Sequence, residues 1–187
     1  MTASTYVWHR LDLDGLDFVR LDERADDVSA EGHEICADGA ERWGLHFVAV
    51  LDREWRHRRT TIASVDLAGT RTVELTSDAG GTWARDGQPA PDLDGCTDVD
   101  VAGNPFTNAF VTRRVAPAVG TEVTVRAVYV EPPALSVRPL AQRYRRLGSD
   151  RWEYADDEYG AFVFTTDADG VAVDYERLAE RIPKPSS

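Results

Sequence analysis

The 187-residue sequence contains very little lysine, methionine and cysteine, with Lys184 and Met1 as the single residues of their types. Positive charge as a whole is scarce, because 21 Lys and Arg stand against 33 Asp and Glu, which gives a formal net charge of −12. Such an excess of carboxylates repels phosphate backbones and anionic membrane surfaces. The composition therefore argues against nucleic acid as a partner.

Long apolar runs are also lacking. No segment approaches the stretch of about 20 predominantly apolar residues that a transmembrane helix requires. Residues 1–15 show neither the basic segment nor the apolar run of a secretory signal. We therefore expect a cytoplasmic protein without stable membrane insertion.

The two cysteines, Cys36 and Cys96, lie far apart in sequence and belong to no Cys-x-x-Cys motif. In a reducing compartment we expect both to be free, buried thiols. No histidine stands at zinc-ligand spacing from either of them. The sequence predicts no metal site and no cofactor.

Alternation of polar and apolar residues is the dominant pattern that is present. The segment "TEVTVRAVYV", residues 121–130, has the period of two that is typical of a half-buried strand. Similar segments cover residues 16–23, 43–52, 60–67, 71–78, 81–87 and 160–167.

Asp-Gly and Gly-Gly pairs punctuate these segments, and both pairs accept the positive φ of tight hairpin turns. They are Asp14-Gly15, Asp38-Gly39, Gly80-Gly81, Asp86-Gly87 and Asp169-Gly170. Many short strands separated in this way predict a mainly β, antiparallel sandwich or barrel.

Helical patterns are few. Residues 140–148 fit either a helix or a strand, whereas residues 174–182 favour a helix because Leu178 and Ile182 are four apart and Pro183 follows. We predict a single β-rich domain over residues 1–182 and a disordered tail over residues 183–187.

A near match to a calcium-binding loop lies close to the C-terminus. Asp167, Asp169, Gly170 and Glu176 occupy the third, fifth, sixth and twelfth positions, but Thr165 replaces the first aspartate. The flanking segments alternate like strands instead of forming helices. A β-hairpin turned at Asp169-Gly170 is the preferred interpretation.

The four histidines and the serines give no catalytic pattern. There is no Gly-x-Ser-x-Gly motif. His33 and His57 lie in strongly polar stretches and are expected to be solvated, while His9 and His46 alternate within predicted strands.

The segment "GCTDVDVAGNPFTNAFVTRR", residues 95–114, concentrates polar residues. Asp98 and Asp100 share one face of a strand, where paired carboxylates can act as acid and base. Arg113 and Arg114 lie close enough in sequence to neutralise them in a salt-bridge network, which is the commoner use of such groups.

The Pro-Phe-Thr-Asn run within this segment predicts a tight corner. Pro105 fixes φ, and Asn104 and Asn108 can bond to the nearby main chain. Phe106 would anchor the corner in the core. A binding role for Thr107 and Asn108 is compatible with this corner.

This central signature resembles the bacterial family named "putative glycolipid-binding". The residues that carry the resemblance are Gly81, Trp83, Asp86, Gly87, Leu93, Gly95, Cys96, Asp98, Asp100, Pro105, Phe106, Thr107, Asn108, Arg113 and Arg114. The match spans nearly the whole chain. It implies an antiparallel, strongly curved sheet that forms a half-barrel or open barrel with one or two short helices, similar to bacterial carriers of lipoproteins and glycolipids.

The resemblance implies a non-enzymatic protein that holds a lipid, glycolipid or similar amphipathic molecule in its cleft. The candidate site residues fall into three groups. Aromatic side chains would line the cleft, and arginines would hold a phosphate or carboxylate head group. The third group contains other polar side chains of the same cluster, of which Asn108 and Gln142 would bind sugar hydroxyls. The candidates are Trp43, Trp83, Phe106, Tyr129, Tyr144, Arg56, Arg113, Arg114, Asp98, Asp100, Thr107, Asn108 and Gln142.

Two alternatives stay open. One is a hydrolase or isomerase that uses Asp98 or Asp100 with Arg113, and it requires a cleft carboxylate with a raised pKa. The other is a protein-interaction domain without a ligand, which a filled interior and an exposed apolar patch would favour.

Overall fold

The computed structural model describes residues 2–183, and its 15 strands form one sheet. The strands are β1 (Thr2–Arg10), β2 (Asp14–Glu23), β3 (Val28–Asp38), β4 (Glu41–Leu51), β5 (His57–Asp66), β6 (Gly69–Ser77), β7 (Trp83–Arg85), β8 (Gln88–Pro89), β9 (Asp98–Val101), β10 (Glu122–Glu131), β11 (Ser136–Arg146), β12 (Arg151–Asp156), β13 (Gly160–Thr166), β14 (Ala172–Tyr175) and β15 (Ala179–Arg181). A 3-10 helix (Pro91–Leu93) and one α-helix, α1 (Asn108–Arg114), complete the described elements.

The sheet is large, curved and unclosed, which confirms the predicted mainly β class with its curved antiparallel sheet. Its order runs from β8 down to β1, continues at β15 and ends at β9. All neighbours are antiparallel except β9 and β10, which are parallel. Hairpins therefore build each half of the sheet.

Four of the five predicted glycine turns connect strands. Gly39 has φ 54°, Gly170 has φ 75°, and Asp86 and Gly87 both have positive φ, while Gly80-Gly81 lies between β6 and β7. The fifth pair, Asp14-Gly15, begins β2 instead of forming the turn.

The first and last strands meet in the middle of the sheet. Trp8 pairs with Arg181, and Arg10 pairs with Ala179. The Trp8 indole Nε1 also donates to the Ala172 carbonyl at 3.0 Å. These contacts join the half made of β1–β8 to the half made of β9–β15.

The predicted helix over residues 174–182 is wrong, because β14 and β15 occupy this region. Arg177 has φ 60°, which turns the chain between them and cannot continue a right-handed helix. Tyr175 and Ala179 are buried, whereas Ile182 of the apparent helical face is 47% exposed. Residues 140–148 fall largely in β11, so their strand alternative holds.

Helix α1 and the corner before it lie on the inner face of the sheet. Phe106 is fully buried, with its ring 6.3 Å from that of Trp8 and 5.6 Å from that of Phe110. The Asn104 carboxamide Oδ1 accepts a hydrogen bond from the Phe106 N–H at 3.0 Å, as a corner requires. The predicted corner and its aromatic anchor are confirmed, whereas Asn108 begins α1 and its Oδ1 accepts from the Tyr144 hydroxyl instead of bonding to the nearby main chain.

Both cysteines are buried and free, as predicted. Among residues 2–183, no helix has the length and apolar character that would let it cross a bilayer. Residues 184–187 of the predicted tail lie outside the described residues.

Candidate functional site

A cleft with a volume of about 370 Å³ lies between the two halves of the sheet. Its polar lining comes from both halves, with Arg10 and Glu34 on one side and Asp100 and Asn108 on the other. The aromatic lining residues are Trp43, Tyr129, Tyr154, Tyr159, Phe162 and Tyr175. A concave site with aromatic walls and a few converging polar groups is typical of small-molecule binding.

Asp100, the third residue of β9, is held from two sides. Thr107 Oγ1 donates to its Oδ1 at 2.6 Å, and Gln142 Nε2 donates to its Oδ2 at 2.6 Å. Burial raises the pKa of Asp100 to about 6, although both hydrogen bonds favour the charged form and limit the rise. The cleft therefore contains a fixed carboxyl group whose pKa lies well above its usual value.

Asn108 belongs to the same network. The Tyr144 hydroxyl lies 2.9 Å from Asn108 Oδ1 and 3.3 Å from Gln142 Oε1, so it can donate to either oxygen. Thr107, Asp100, Gln142, Tyr144 and Asn108, all predicted site residues, thus form one connected set. Buried, satisfied networks of this kind hold their members in fixed orientations.

A second polar group beneath the cleft was not predicted. Glu34 Oε1 accepts from Asn104 Nδ2 at 2.7 Å, whereas Glu34 Oε2 and both oxygens of Asp17 have no hydrogen-bond partner. Arg10 Nη1 lies 3.8 Å from Asp17 Oδ2. Burial raises the pKa of Asp17 and of Glu34, and mutual repulsion adds to the rise in Asp17, while the charge of Arg10 opposes it.

Arg10 reaches this position because Gly103 has no side chain. A Cβ at Gly103 would lie 2.4 Å from Arg10 Nη2, and Gly103 has φ 79°. The guanidinium donates to both carboxylate oxygens of Asp12, at 2.9 and 2.6 Å. Its charge is therefore largely committed to Asp12 and Asp17.

Strand alternation could have identified these three charged residues. Arg10 shares the inward side of β1 with Trp8, and Asp17 shares that of β2 with Val19. Glu34 likewise stands on the side of β3 that carries Cys36. A charged residue on the face of a strand that otherwise carries apolar residues predicts a buried polar site.

The other predicted polar residues lie away from the cleft. Asp98 is buried and receives a hydrogen bond from Arg114 Nε at 3.1 Å, as the salt-bridge interpretation predicted. Arg113 pairs with Glu23 and lies over the Trp55 ring at 4.5 Å. The structure therefore does not bring Arg113 to Asp100.

Arg56 and Arg114 line a separate pocket of about 360 Å³. Arg56 Nε lies 2.9 Å from Asp52 Oδ2, and its Nη2 lies 3.2 Å from Glu54 Oε2. The positive charge at this pocket is thus compensated by carboxylates.

His57 also lines this second pocket, and its predicted solvation is wrong. It is 1% exposed, and its Nε2 accepts from the Val99 N–H at 3.2 Å. Burial lowers the pKa of His57 to about 4, so the ring is neutral. Its polar sequence neighbours Arg56 and Arg58 point to solvent while His57 faces the core.

The predicted aromatic lining divides into two groups. Trp43 and Tyr129 line the cleft. Trp83 and Phe106 lie in the core, where Trp83 Nε1 donates to the Cys96 carbonyl at 2.9 Å. Tyr144 lies below the cleft surface in the hydrogen-bonded network.

The near match to a calcium loop is a hairpin turn between β13 and β14. Asp167 Oδ1 accepts from the backbone N–H groups of Asp169 and Val171, both at 3.0 Å. The Asp167 carboxylate also pairs with Arg181 at 2.5 Å. The turn itself accounts for this sequence, as expected.

Two other groups in residues 2–183 have metal-ligand geometry. Asp17, Glu34 and Cys36 form the first, but Arg10 already supplies a positive charge there. Glu31, His33 and His46 form the second, on the outer face of the sheet.

The chain is similar to known proteins in both sequence and structure. A family model described as "Putative glycolipid-binding" matches residues 5–181. The structure is similar to a crystal structure of a DUF1089 family protein from Pseudomonas aeruginosa, with a TM-score of 0.81 and 31% identity over 89% of this chain and 92% of that one. No curated protein matches the chain.

Proposed function

The chain belongs to the family described as "Putative glycolipid-binding", and from this premise we propose that it reversibly binds an amphipathic molecule with an uncharged, hydroxyl-rich head group. The head group occupies the cleft between the two halves of the sheet, while its apolar portion lies along the aromatic wall. The protein acts by capture and release and performs no chemistry on the ligand.

One observation carries this proposal: a polar floor that is oriented before any ligand arrives lies in a cleft with aromatic walls. Asp100 and Asn108 are fixed by Thr107, Gln142 and Tyr144. Fixed acceptors and donors bind hydroxyl groups without the cost of ordering side chains on binding. Aromatic faces suit the apolar faces of sugars and the start of an alkyl chain.

The charges of the cleft favour a neutral head group over an anionic one. Asp100 and Glu34 line it, and Asp12 takes up the charge of Arg10. The only other arginine among the lining residues, Arg177, lies over the Phe162 ring at 5.1 Å, and its Nε lies 4.0 Å from Glu176 Oε1. A phosphate or carboxylate head group would therefore meet carboxyl groups with little free positive charge to compensate them.

The test has two stages. Protein purified gently from its own host would be analysed by native mass spectrometry, followed by organic extraction, and we expect an adduct with a glycoside head group. Octyl glucoside and octyl phosphate below their micelle concentrations, and octanol below its solubility limit, would then be titrated by calorimetry. We expect the glucoside to bind more tightly than the phosphate or the alcohol.

Matched variants separate the two pockets. Asp100→Asn and Asn108→Ala are expected to weaken glucoside binding, while Arg56→Gln is expected to leave it unchanged. A preference for octyl phosphate that is lost in Arg56→Gln would assign the ligand to the second pocket instead. Equal binding of glucoside and octanol, unaffected by Asp100→Asn, would also refute the proposal.

The enzymatic alternative keeps one supporting observation, the pKa of about 6 for Asp100 in the cleft. A carboxyl group of this kind can serve as a general acid or base. It would have to work without Arg113, which pairs with Glu23. Turnover of nitrophenyl glycosides that is abolished in Asp100→Asn would establish this alternative.

The protein-interaction alternative predicts a filled interior, whereas about 370 Å³ of the cleft is open. The feature in its favour is an exposed apolar row on the outer face. Leu16 on β2 is the cross-strand partner of Ile35 on β3. Ile35 pairs in turn with Gly44 on β4, and Gly44 pairs with Val65 on β5. If a partner protein binds through this row, Ile35→Ser is expected to abolish its capture. Glucoside binding by the same variant is expected to be unaffected.

A further inference from the structure

The outer face of β3 and β4 carries a compact set of metal-ligand side chains. His33 and His46 are direct cross-strand partners, and Glu31 stands two residues before His33 on the same face. One ligand atom from each residue lies within 4.8 Å of the others. All three side chains are about half exposed, so an ion can reach them from solvent.

The three groups converge on one point. His46 Nε2 lies 3.0 Å from Glu31 Oε1, and His33 Nε2 lies 3.8 Å from the same oxygen. Ligand atoms about 2.0–2.1 Å from a tetrahedral zinc ion are separated by about 3.3 Å. These two distances bracket this value, and the ligand nitrogens of His33 and His46 lie within 4.8 Å of each other.

The imidazole rings of His33 and His46 are stacked on each other. Their centroids are 4.5 Å apart and their planes differ by 23°. The two backbones are fixed by the register of β3 and β4, so the ion would not have to order the chain. A preformed site of this kind loses little conformational entropy on binding.

The arginine that stands opposite Glu31 on the neighbouring strand is paired with another carboxylate. Arg20 on β2 is the cross-strand partner of Glu31, but its Nη2 donates to Asp22 Oδ1 at 3.0 Å. Phe18, also on β2, lies 6.4 Å from the His33 ring and covers one side of the pair. The Glu31 carboxylate is therefore available to an ion.

From this geometry we propose that Glu31, His33 and His46 bind a divalent transition metal ion of the zinc class. Two imidazoles and one carboxylate suit Zn²⁺, Ni²⁺ and Cu²⁺ and suit Ca²⁺ and Mg²⁺ poorly, because the last two prefer oxygen ligands. Water completes the coordination sphere on the exposed side. The ion ties β3 to β4 on the face opposite the cleft, and this site is independent of the ligand proposed for the cleft.

The experiment uses protein without an affinity tag, stripped with a chelator and kept at about pH 7.5, where most imidazoles are neutral. Zn²⁺ and Mg²⁺ would be titrated by calorimetry, and the thermal midpoint would be measured with and without Zn²⁺. We expect saturable binding of Zn²⁺, no binding of Mg²⁺ at this site, and a rise in Tm with Zn²⁺ because the ion binds the folded state.

Variants identify the ligands. His33→Ala and His46→Ala are each expected to weaken Zn²⁺ binding on the order of tenfold or more, since each removes one of three protein ligands. His9→Ala is the matched control, because His9 is an exposed strand histidine outside the cluster. Both histidine side chains are about half exposed, so the variants are expected to fold, which their Tm without Zn²⁺ verifies.

Three results would overturn the proposal. They are the absence of Zn²⁺ binding to the wild-type protein, wild-type affinity in the His33→Ala, His46→Ala double variant, and an equal loss in His9→Ala. Paramagnetic broadening by Cu²⁺ in amide NMR spectra provides a second readout, and the proposal requires it to centre on β3 and β4.

Discussion

Asp17 on β2 and Glu34 on β3 are direct cross-strand partners, and both carboxyl groups are buried on the inner face. Like charges directly opposite each other destabilise a sheet, and burial adds a desolvation cost for each charge. Arg10 is the one guanidinium that the structure places against the pair, and Asp12 shares it. The pair therefore holds at least one proton under conditions in which exposed carboxyls are ionised.

This arrangement predicts that stability falls as pH rises. The folded pKa values of Asp17 and Glu34 lie above their unfolded values, so the folded state binds more protons. The contribution of this pair to the free energy of unfolding is therefore expected to decrease from about pH 4 through the neutral range, while His57, whose pKa is lowered by burial, contributes in the opposite sense below about pH 6.5. The decrease amounts to about 1.4 kcal/mol for each pH unit over which the folded state holds one proton more than the unfolded state. Urea denaturation at a series of pH values measures this dependence.

Asp17→Asn is expected to flatten the pH dependence and to stabilise the protein above neutral pH, because it removes one of the two like charges. Asp14→Asn is the control, since Asp14 is an exposed residue of the same strand. A pH dependence equal to that of the wild type in Asp17→Asn would contradict the interpretation.

The second prediction concerns Asp100. Thr107→Val removes a hydroxyl that donates at 2.6 Å to its carboxylate and nearly preserves the side-chain shape. Because that hydrogen bond favours the charged form, the pKa of Asp100 is expected to rise above its value of about 6. Carboxyl ¹³C NMR titration gives the midpoint. The Thr112 hydroxyl donates to the Gly170 carbonyl and not to Asp100. Thr112→Val is therefore expected to leave the Asp100 midpoint unchanged.

A third prediction tests the buried ion pair of Asp98 and Arg114. Asp98 is 1% exposed, so Arg114→Gln leaves a buried carboxylate with the Thr97 hydroxyl but without its cationic partner, and is expected to cost about 3–5 kcal/mol of stability. Adding Asp98→Asn should recover much of the loss. Arg56→Gln breaks an exposed pair and is expected to cost less than about 1 kcal/mol. Chemical denaturation of the wild type, the two single arginine variants and the double variant measures these free energies of unfolding. Similar losses of stability in Arg114→Gln and Arg56→Gln would refute the prediction.

The fourth prediction addresses the aromatic anchor of the corner. Phe106 is fully buried against Tyr6, Trp8 and Phe110, so Phe106→Ala is expected to destabilise the protein by about 3–5 kcal/mol. Phe18→Ala, on the exposed outer face, should cost far less. Urea midpoints compare the two, and a small effect of Phe106→Ala would show that the corner does not organise the inner face.

Local pattern was sufficient for most of the sheet. Period-two alternation and glycine turns are properties of neighbouring residues, so β4, β5 and β10 were predicted close to their observed bounds. Helix α1 was missed because Asn108 through Thr112 are all buried on the inner face. A seven-residue helix whose first five residues are buried lacks the exposed polar face that would reveal its period.

The candidate site was predicted in part for a related reason. Asp100, Thr107 and Asn108 lie within one short segment, so sequence proximity grouped them. Arg10 and Glu34 reach the cleft because β1, β2 and β3 pair side by side in the sheet. Their approach to Asp100 depends on the pairing of β1 with β15. Long-range pairing of this kind has no local signal in a single sequence.

The pairing of β1 with β15 also governs how the molecule must assemble. Trp8 meets Arg181 only after almost the entire described chain is available, whereas the hairpins within each half need only nearby residues. During synthesis one edge of β1 therefore remains unpaired until β15 has been made. Folding rates fall as contacting residues become more distant in sequence. We accordingly expect slow refolding, with each half organised before the seam between them closes.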